Sequence, residues 1–190
     1  MIIDGHTHIL PKTFRLQQKE LGKDSTFEEL FSDKKSKTIT GKELIQFMDE
    51  NNIEQSVALG YGWNNIDVAK ISNNYILKQA KLFPGRIIPF CSINPNWGIQ
   101  AIKELERCLS EGAQGIGELH PTNQFLNLTN KKIFQPMMNL ASAEKIPITI
   151  HGSEPVGHQY PGKGNSTPEK LYAFIQLFPE NIIILAHWGG

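Results

Sequence analysis

Several things are scarce in this sequence, and each scarcity excludes something. Cysteine is limited to Cys91 and Cys108 among 190 residues. They lie far apart in neither metal nor redox spacing, which speaks against a disulfide framework and fits a reducing cytoplasm. No excess of either charge exists: nineteen Lys and Arg balance nineteen Asp and Glu, so no net field favours nucleic acid or a membrane surface. No apolar run approaches the ~18 residues of a spanning helix. The start, Met1-Ile2-Ile3-Asp4, carries no basic stretch and reads as the opening of a strand, not as a signal peptide. Hydrophobic residues make up 39% and fall in regular blocks, which excludes a disordered chain. A soluble cytoplasmic globular protein is expected, with one domain over residues 1–190.

Residues 11–40 form a polar stretch with Lys34, Lys35 and Lys37 and scattered Phe14, Phe27, Leu30 and Phe31. It reads as a long insertion holding a turn or two of helix, the lysines being a solvated face. From Thr40 the pattern turns regular. Thr40 and Glu43 make a capping box, followed by a stripe of Leu44, Ile45, Phe47 and Met48. Strand-like runs are expected at 56–59, 87–93, 113–119, 146–150 and 182–186, with helices at 66–83, 97–110, 131–145 and 168–178. Short apolar strands separated by helices are the pattern of a parallel sheet covered by helices. The fold class is therefore α/β.

The histidines choose the architecture. His6, His120, His151 and His187 fall at or within about two residues of expected strand ends, and His8 and His158 fall in the loops just beyond. Strands in an open sheet sit about 4.8 Å apart, so the ends of the first, fourth, fifth and sixth could not all reach one point. In a closed barrel every strand aims its C-terminal end at one mouth. The expectation is a (β/α)8 TIM-type barrel truncated after the sixth strand, because a complete barrel takes ~250 residues and only six strands are countable. An open six-stranded sheet is the alternative.

In Asp4-Gly5-His6-Thr7-His8 the two imidazoles share one face of a strand, which makes a bidentate nitrogen site for a divalent transition metal. His151 and His187 each close an apolar strand and are followed by Gly152 and, two residues on, Gly189. Glu118, in Gly117-Glu118-Leu119-His120-Pro121, can bridge two cations or orient a ligand histidine. Tyr61 and Trp63 follow the second strand, and Glu154 and His158 sit in the loop after the fifth. With His120, the residues Trp63, Glu154 and His158 are the candidates for substrate contact. The stretch from Gly157 to Gly164 matches phosphate-loop spacing through Lys163, but Gly164 stands where Ser or Thr should hold Mg2+.

Together these motifs resemble the amidohydrolase superfamily of metal-dependent hydrolases, in the branch that includes aminocarboxymuconate-semialdehyde decarboxylase. The resemblance implies a TIM-type barrel with metal ligands His6, His8, His151 and His187 and with Glu118 at the bridging position. It also implies an aspartate at the end of an eighth strand, for which the sequence has no counterpart. The implied chemistry is hydrolysis of a small carbonyl-containing substrate by water activated on one or two Zn2+-like ions, with His187 as an acid/base group. Two other readings compete. One is non-oxidative decarboxylation of a small unsaturated or aromatic acid. The other is a silent fragment or a half-site completed by another chain, with exposed edges on the first and sixth strands and hence homo-oligomerisation.

Overall fold

The computed structural model describes residues 1–16, 23–33 and 35–190. Six strands form one parallel sheet in sequence order: β1 (Ile3–His8), β2 (Gln55–Leu59), β3 (Ile87–Cys91), β4 (Gly115–Leu119), β5 (Ile148–Ile150) and β6 (Ile183–Leu185). Each neighbouring pair is parallel. Between them run α3 (Gly41–Glu50), α4 (Ile66–Leu82), α5 (Ile99–Ser110), α6 (Lys131–Ala143) and α7 (Pro168–Leu177), preceded by the short α1 (Thr13–Leu16) and α2 (Ser25–Phe31).

The sheet curls. Five flat intervals of about 4.8 Å would hold β1 and β6 about 24 Å apart. The His6 ring on β1 and the His187 ring just after β6 are instead 5.3 Å apart between centroids. Six consecutive units of a TIM-type barrel bring their C-terminal ends together in this way, and an open flat sheet does not. β1 and β6 each pair on one side, leaving Ile3 and Ile184 nearly half exposed. β4, in the middle, is buried along its whole length.

Local chemistry sets the helix boundaries. The Thr40 hydroxyl accepts from the Glu43 N–H while the Glu43 carboxylate accepts from the Thr40 N–H, so the expected capping box starts α3. The Asn65 side chain caps α4, and Pro168 opens α7. The main core lies under β3, β4 and β5, where Ile116, Ile148 and Ile150 meet Phe134, Met138, Leu171 and Phe174 of the covering helices. Cys91 and Cys108 belong to this core as free thiols.

The described part of residues 11–40 does more than the expected insertion with a turn or two of helix. Phe14, Phe27 and Phe31 are buried and form a second cluster with Trp63. Lys35 and Lys37 are exposed, as a solvated face requires, and Lys34 falls outside the described residues. The sequence reading also ended β1 too early. The strand runs through His8, so both histidines stand on it, with a register irregularity between Asp4 and Thr7.

Candidate metal centre

Glu118 is the hub of the mouth. It is the penultimate residue of β4 and is buried, and its N–H donates to Gly60 O while Gly60 N–H donates to Gly117 O. Those two bonds tie the end of β2 to the end of β4. Gly117 has φ +140°, and a Cβ there would come within 2.8 Å of the Thr149 carbonyl, so only glycine fits before the glutamate.

Four imidazoles surround this carboxylate. Oε2 lies 3.3 Å from His6 Nε2 and 3.4 Å from His8 Nε2. Oε1 lies 3.1 Å from His151 Nδ1 and 3.4 Å from His187 Nε2. His6 Nε2 and His8 Nε2 are themselves 3.1 Å apart. Ligand atoms of His6, Glu118 and His187 all fall within 4.8 Å of one another. Burial pushes the Glu118 carboxyl up, but hydrogen bonds with His151, His187, His6 and His8 prevail and hold it well below the usual carboxylate range. His187 moves the other way. Its hydrogen bond with Glu118 raises it, against a smaller opposing effect of burial.

The surrounding carbonyls show what the cluster is built to hold. A carbonyl oxygen only accepts, so a ring nitrogen facing one carries the proton. His8 Nδ1 faces Leu59 O at 3.1 Å, which leaves the lone pair of its Nε2 aimed at Glu118 and His6. His151 Nε2 faces Lys163 O at 2.9 Å, which aims its Nδ1 lone pair at Glu118. In neutral rings these lone pairs point at a carboxylate, an arrangement that a shared cation resolves; without a cation, a ring protonated on both nitrogens makes the hydrogen bond to Glu118. The donor set fits a divalent metal.

His120 stands beside this cluster but does not join it. Its Nε2–H donates to Gly162 O at 2.9 Å and its Nδ1 accepts from the Asn123 N–H at 3.2 Å, so neither nitrogen is free. Its ring stacks on His151, centroids 4.2 Å apart. Burial, seconded by His151, lowers its pKa.

A cavity of about 320 Å³ opens over the histidines, with Thr26, Leu30, Tyr61, Tyr160 and Pro161 among its other walls. A larger cleft, about 610 Å³ beside Met48 and Arg86, lies at the opposite ends of the strands, away from these groups. Of the residues expected at the substrate, His120 lines the cavity and three do not. Trp63 is wholly buried among Phe14, Phe31 and Tyr61, in the aromatic cluster built by residues of α1 and α2. Glu154 pairs with Lys163 and Tyr160 on the outer side of its loop. His158 is exposed in the same loop, with its ring near Tyr160. Tyr61, by contrast, stacks on His8 at 4.2 Å and faces the site.

The sequence reading missed α2 as a wall of the site. Buried Asp24 caps it by accepting from Thr26 N–H and Phe27 N–H, and its other oxygen accepts from Asn64 N–H and Asn65 N–H. Thr26 Oγ1 donates to Gly62 O at 2.6 Å, and Glu29 accepts from Gly162 N–H at 2.8 Å. An Asp directly before Ser25-Thr26-Phe27-Glu28 is a capping signal, but nothing local reveals the loop partners.

A family model described as amidohydrolase matches residues 3–190. The chain belongs to the amidohydrolase family. Among solved structures, this amidohydrolase resembles 5-carboxyvanillate decarboxylase from Novosphingobium aromaticivorans with bound manganese (TM-score 0.76, 17% identity, 100% of this chain and 66% of that one). It also resembles 4-oxalomesaconate hydratase from Rhodopseudomonas palustris (TM-score 0.65, 23% identity, 100% and 64%). A third similar structure is apo IDCase from Metarhizium anisopliae (TM-score 0.71, 16% identity, 100% and 65%). At these identities the likeness establishes the fold. The amidohydrolase chain described here spans less than two thirds of the length of each of the three. No match was found among curated protein sequences. Among the described residues no helix is long and apolar enough to cross a membrane.

Proposed function

We propose that this chain, residues 1–190, carries the metal centre of a metal-dependent hydrolase acting on a small carbonyl-containing substrate. The observation that supports this most directly is the division of four imidazoles by one carboxylate. Oε2 faces His6 and His8, and Oε1 faces His151 and His187. Glu118 and these four histidines would hold the divalent cations, two in our reading. Imidazole-rich donors favour Zn2+, which is our assignment. A divalent cation at such a site supplies Lewis-acid polarisation of a carbonyl and lowers the pKa of water towards ~7.

The chain's own groups do the rest. Ionised Glu118 balances the positive charge gathered at the mouth. His187 has a side chain 49% exposed against 29% or less for His6, His8 and His151, so its ring is the one of the four most open to a substrate. Tyr61 is kept protonated by burial and by neighbouring Glu118, and offers an O–H donor at the wall. Leu30, Tyr160 and Pro161 shield the site from water on the side of α2. His120 orients the wall through its bond to Gly162. The two buried free thiols accord with a cytoplasmic location.

Titration of the metal-free polypeptide with Zn2+ tests the reading. Two equivalents are expected, with His6→Ala and His151→Ala each losing tight binding of one. Unchanged metal content in both variants refutes the centre. One equivalent, together with CO2 release from a small unsaturated or aromatic acid, would move the chemistry to decarboxylation.

A further inference from the structure

Between β5 and α7 the chain runs from His151 to Thr167 without helix or strand, yet it contributes Tyr160, Pro161 and Gly162 to the cavity. One side chain gathers it. Lys163 is 3% exposed, and its Nζ lies 2.8 Å from Val156 O, 3.3 Å from His158 O and 3.5 Å from Gly157 O. Glu154 Oε1 is 3.5 Å away. A buried ammonium is tolerated only when its donors are satisfied and its charge is paired, and here the loop folds around it to do both. This also disposes of the phosphate-loop resemblance. Carbonyls, not N–H groups, point inward, and they hold the chain's own cation in place of an anion.

The backbone of the same residue reaches the metal centre. Lys163 O accepts from His151 Nε2–H and from the Ser153 hydroxyl, and the preceding carbonyl, Gly162 O, accepts from His120 Nε2–H. Two adjacent carbonyls thus orient two stacked imidazoles. We propose that Lys163 is a positioning residue of the metal centre. Its ammonium gathers residues 156–158 and so holds the 162–163 backbone, whose carbonyls keep His151 Nδ1 turned towards Glu118. This rests on the metal-centre reading given above.

Lys163→Met keeps the buried aliphatic stem and removes the ammonium, and Lys163→Gln retains two N–H donors. Both are made in the full polypeptide and titrated with Zn2+ against a chromophoric chelator. Groups that orient ligand histidines are worth about 10- to 100-fold in metal affinity, so a loss of that size is expected for methionine and a smaller one for glutamine. In the metal-free protein, at a pH where the imidazoles are neutral, 15N shifts should report a single His151 tautomer protonated at Nε2 in the wild type. The methionine variant should show a mixture of tautomers. Zinc affinity within about threefold of wild type, with an unchanged His151 tautomer, would overturn the proposal, even if melting were lowered, as a merely structural lysine would do. If the wild type itself binds no Zn2+, the metal centre fails and the tautomer measurement alone decides whether Lys163 holds the ring. If Lys163→Met does not fold, Lys163→Gln carries the same measurements.

Discussion

Replacing Asp24 with alanine removes a wholly buried carboxylate that accepts four backbone N–H groups: Thr26 at 2.9 Å, Phe27 at 3.1 Å, Asn64 at 2.8 Å and Asn65 at 2.7 Å. The first two are the cap of α2, and loss of such a cap costs about 1 kcal/mol. The other two join α2 to the loop carrying Tyr61 and Gly62. Each loses a charge-assisted bond worth ~1.5 kcal/mol, and because both donors are only half buried, water recovers part of that. The expected net destabilisation is about 2–4 kcal/mol, a large share of the 5–15 kcal/mol typical of a domain. Asp24→Asn separates shape from acceptor capacity. One amide oxygen can serve one pair of donors, while the NH2 group confronts the other pair, so about half of the loss should remain. Urea unfolding should show a lower midpoint at constant m-value, and hydrogen exchange should accelerate at residues 61–65. A destabilisation of Asp24→Ala below ~0.5 kcal/mol, the range of ordinary surface changes, would refute the clamp.

Two further outcomes follow from other parts of the structure. Burial pushes the Glu104 carboxyl up, but hydrogen bonds from Arg107 and Asn73 outweigh it, so its folded pKa lies below the reference 4.5. A depressed folded value means stability that is present above about 4.5 and lost as pH falls through the lower folded pKa. Melting temperature should therefore drop less steeply across that acid range in Glu104→Gln, and an unchanged slope would contradict the assignment. Thr40→Ala removes one half of the α3 capping box and should cost about 1 kcal/mol in thermal or urea unfolding, without affecting Zn2+ binding.

Much of the fold was legible because its signals are short-range. The Thr40–Glu43 box, the proline opening α7 and the apolar five-residue blocks act over a single turn or strand, so helix and strand positions could be read to within a few residues. The His6–His8 pair shows equally well, since alternation along one strand suffices to place both rings on one face. Barrel curvature was inferred from where the histidines fall, and the 5.3 Å approach of His6 to His187 shows the cause: strand ends converge only if the sheet curls.

The sequence by itself determined the α/β alternation, the approximate strand positions and the residue types able to hold a cation. Tertiary structure alone decided which groups share the site and which way they point. Trp63 follows a strand just as Tyr61 does, yet one is sealed in an aromatic cluster and the other faces the histidines. His120 and His151 both follow strands, yet with carbonyls of the 162–163 backbone at one nitrogen of each, the second nitrogen meets the Asn123 N–H in His120 and the Glu118 carboxylate in His151. Glu29 and Gly162, 133 positions apart, meet across the cavity. Such pairings depend on loop closure over the whole chain, and propensity, capping and periodicity act over only a few residues.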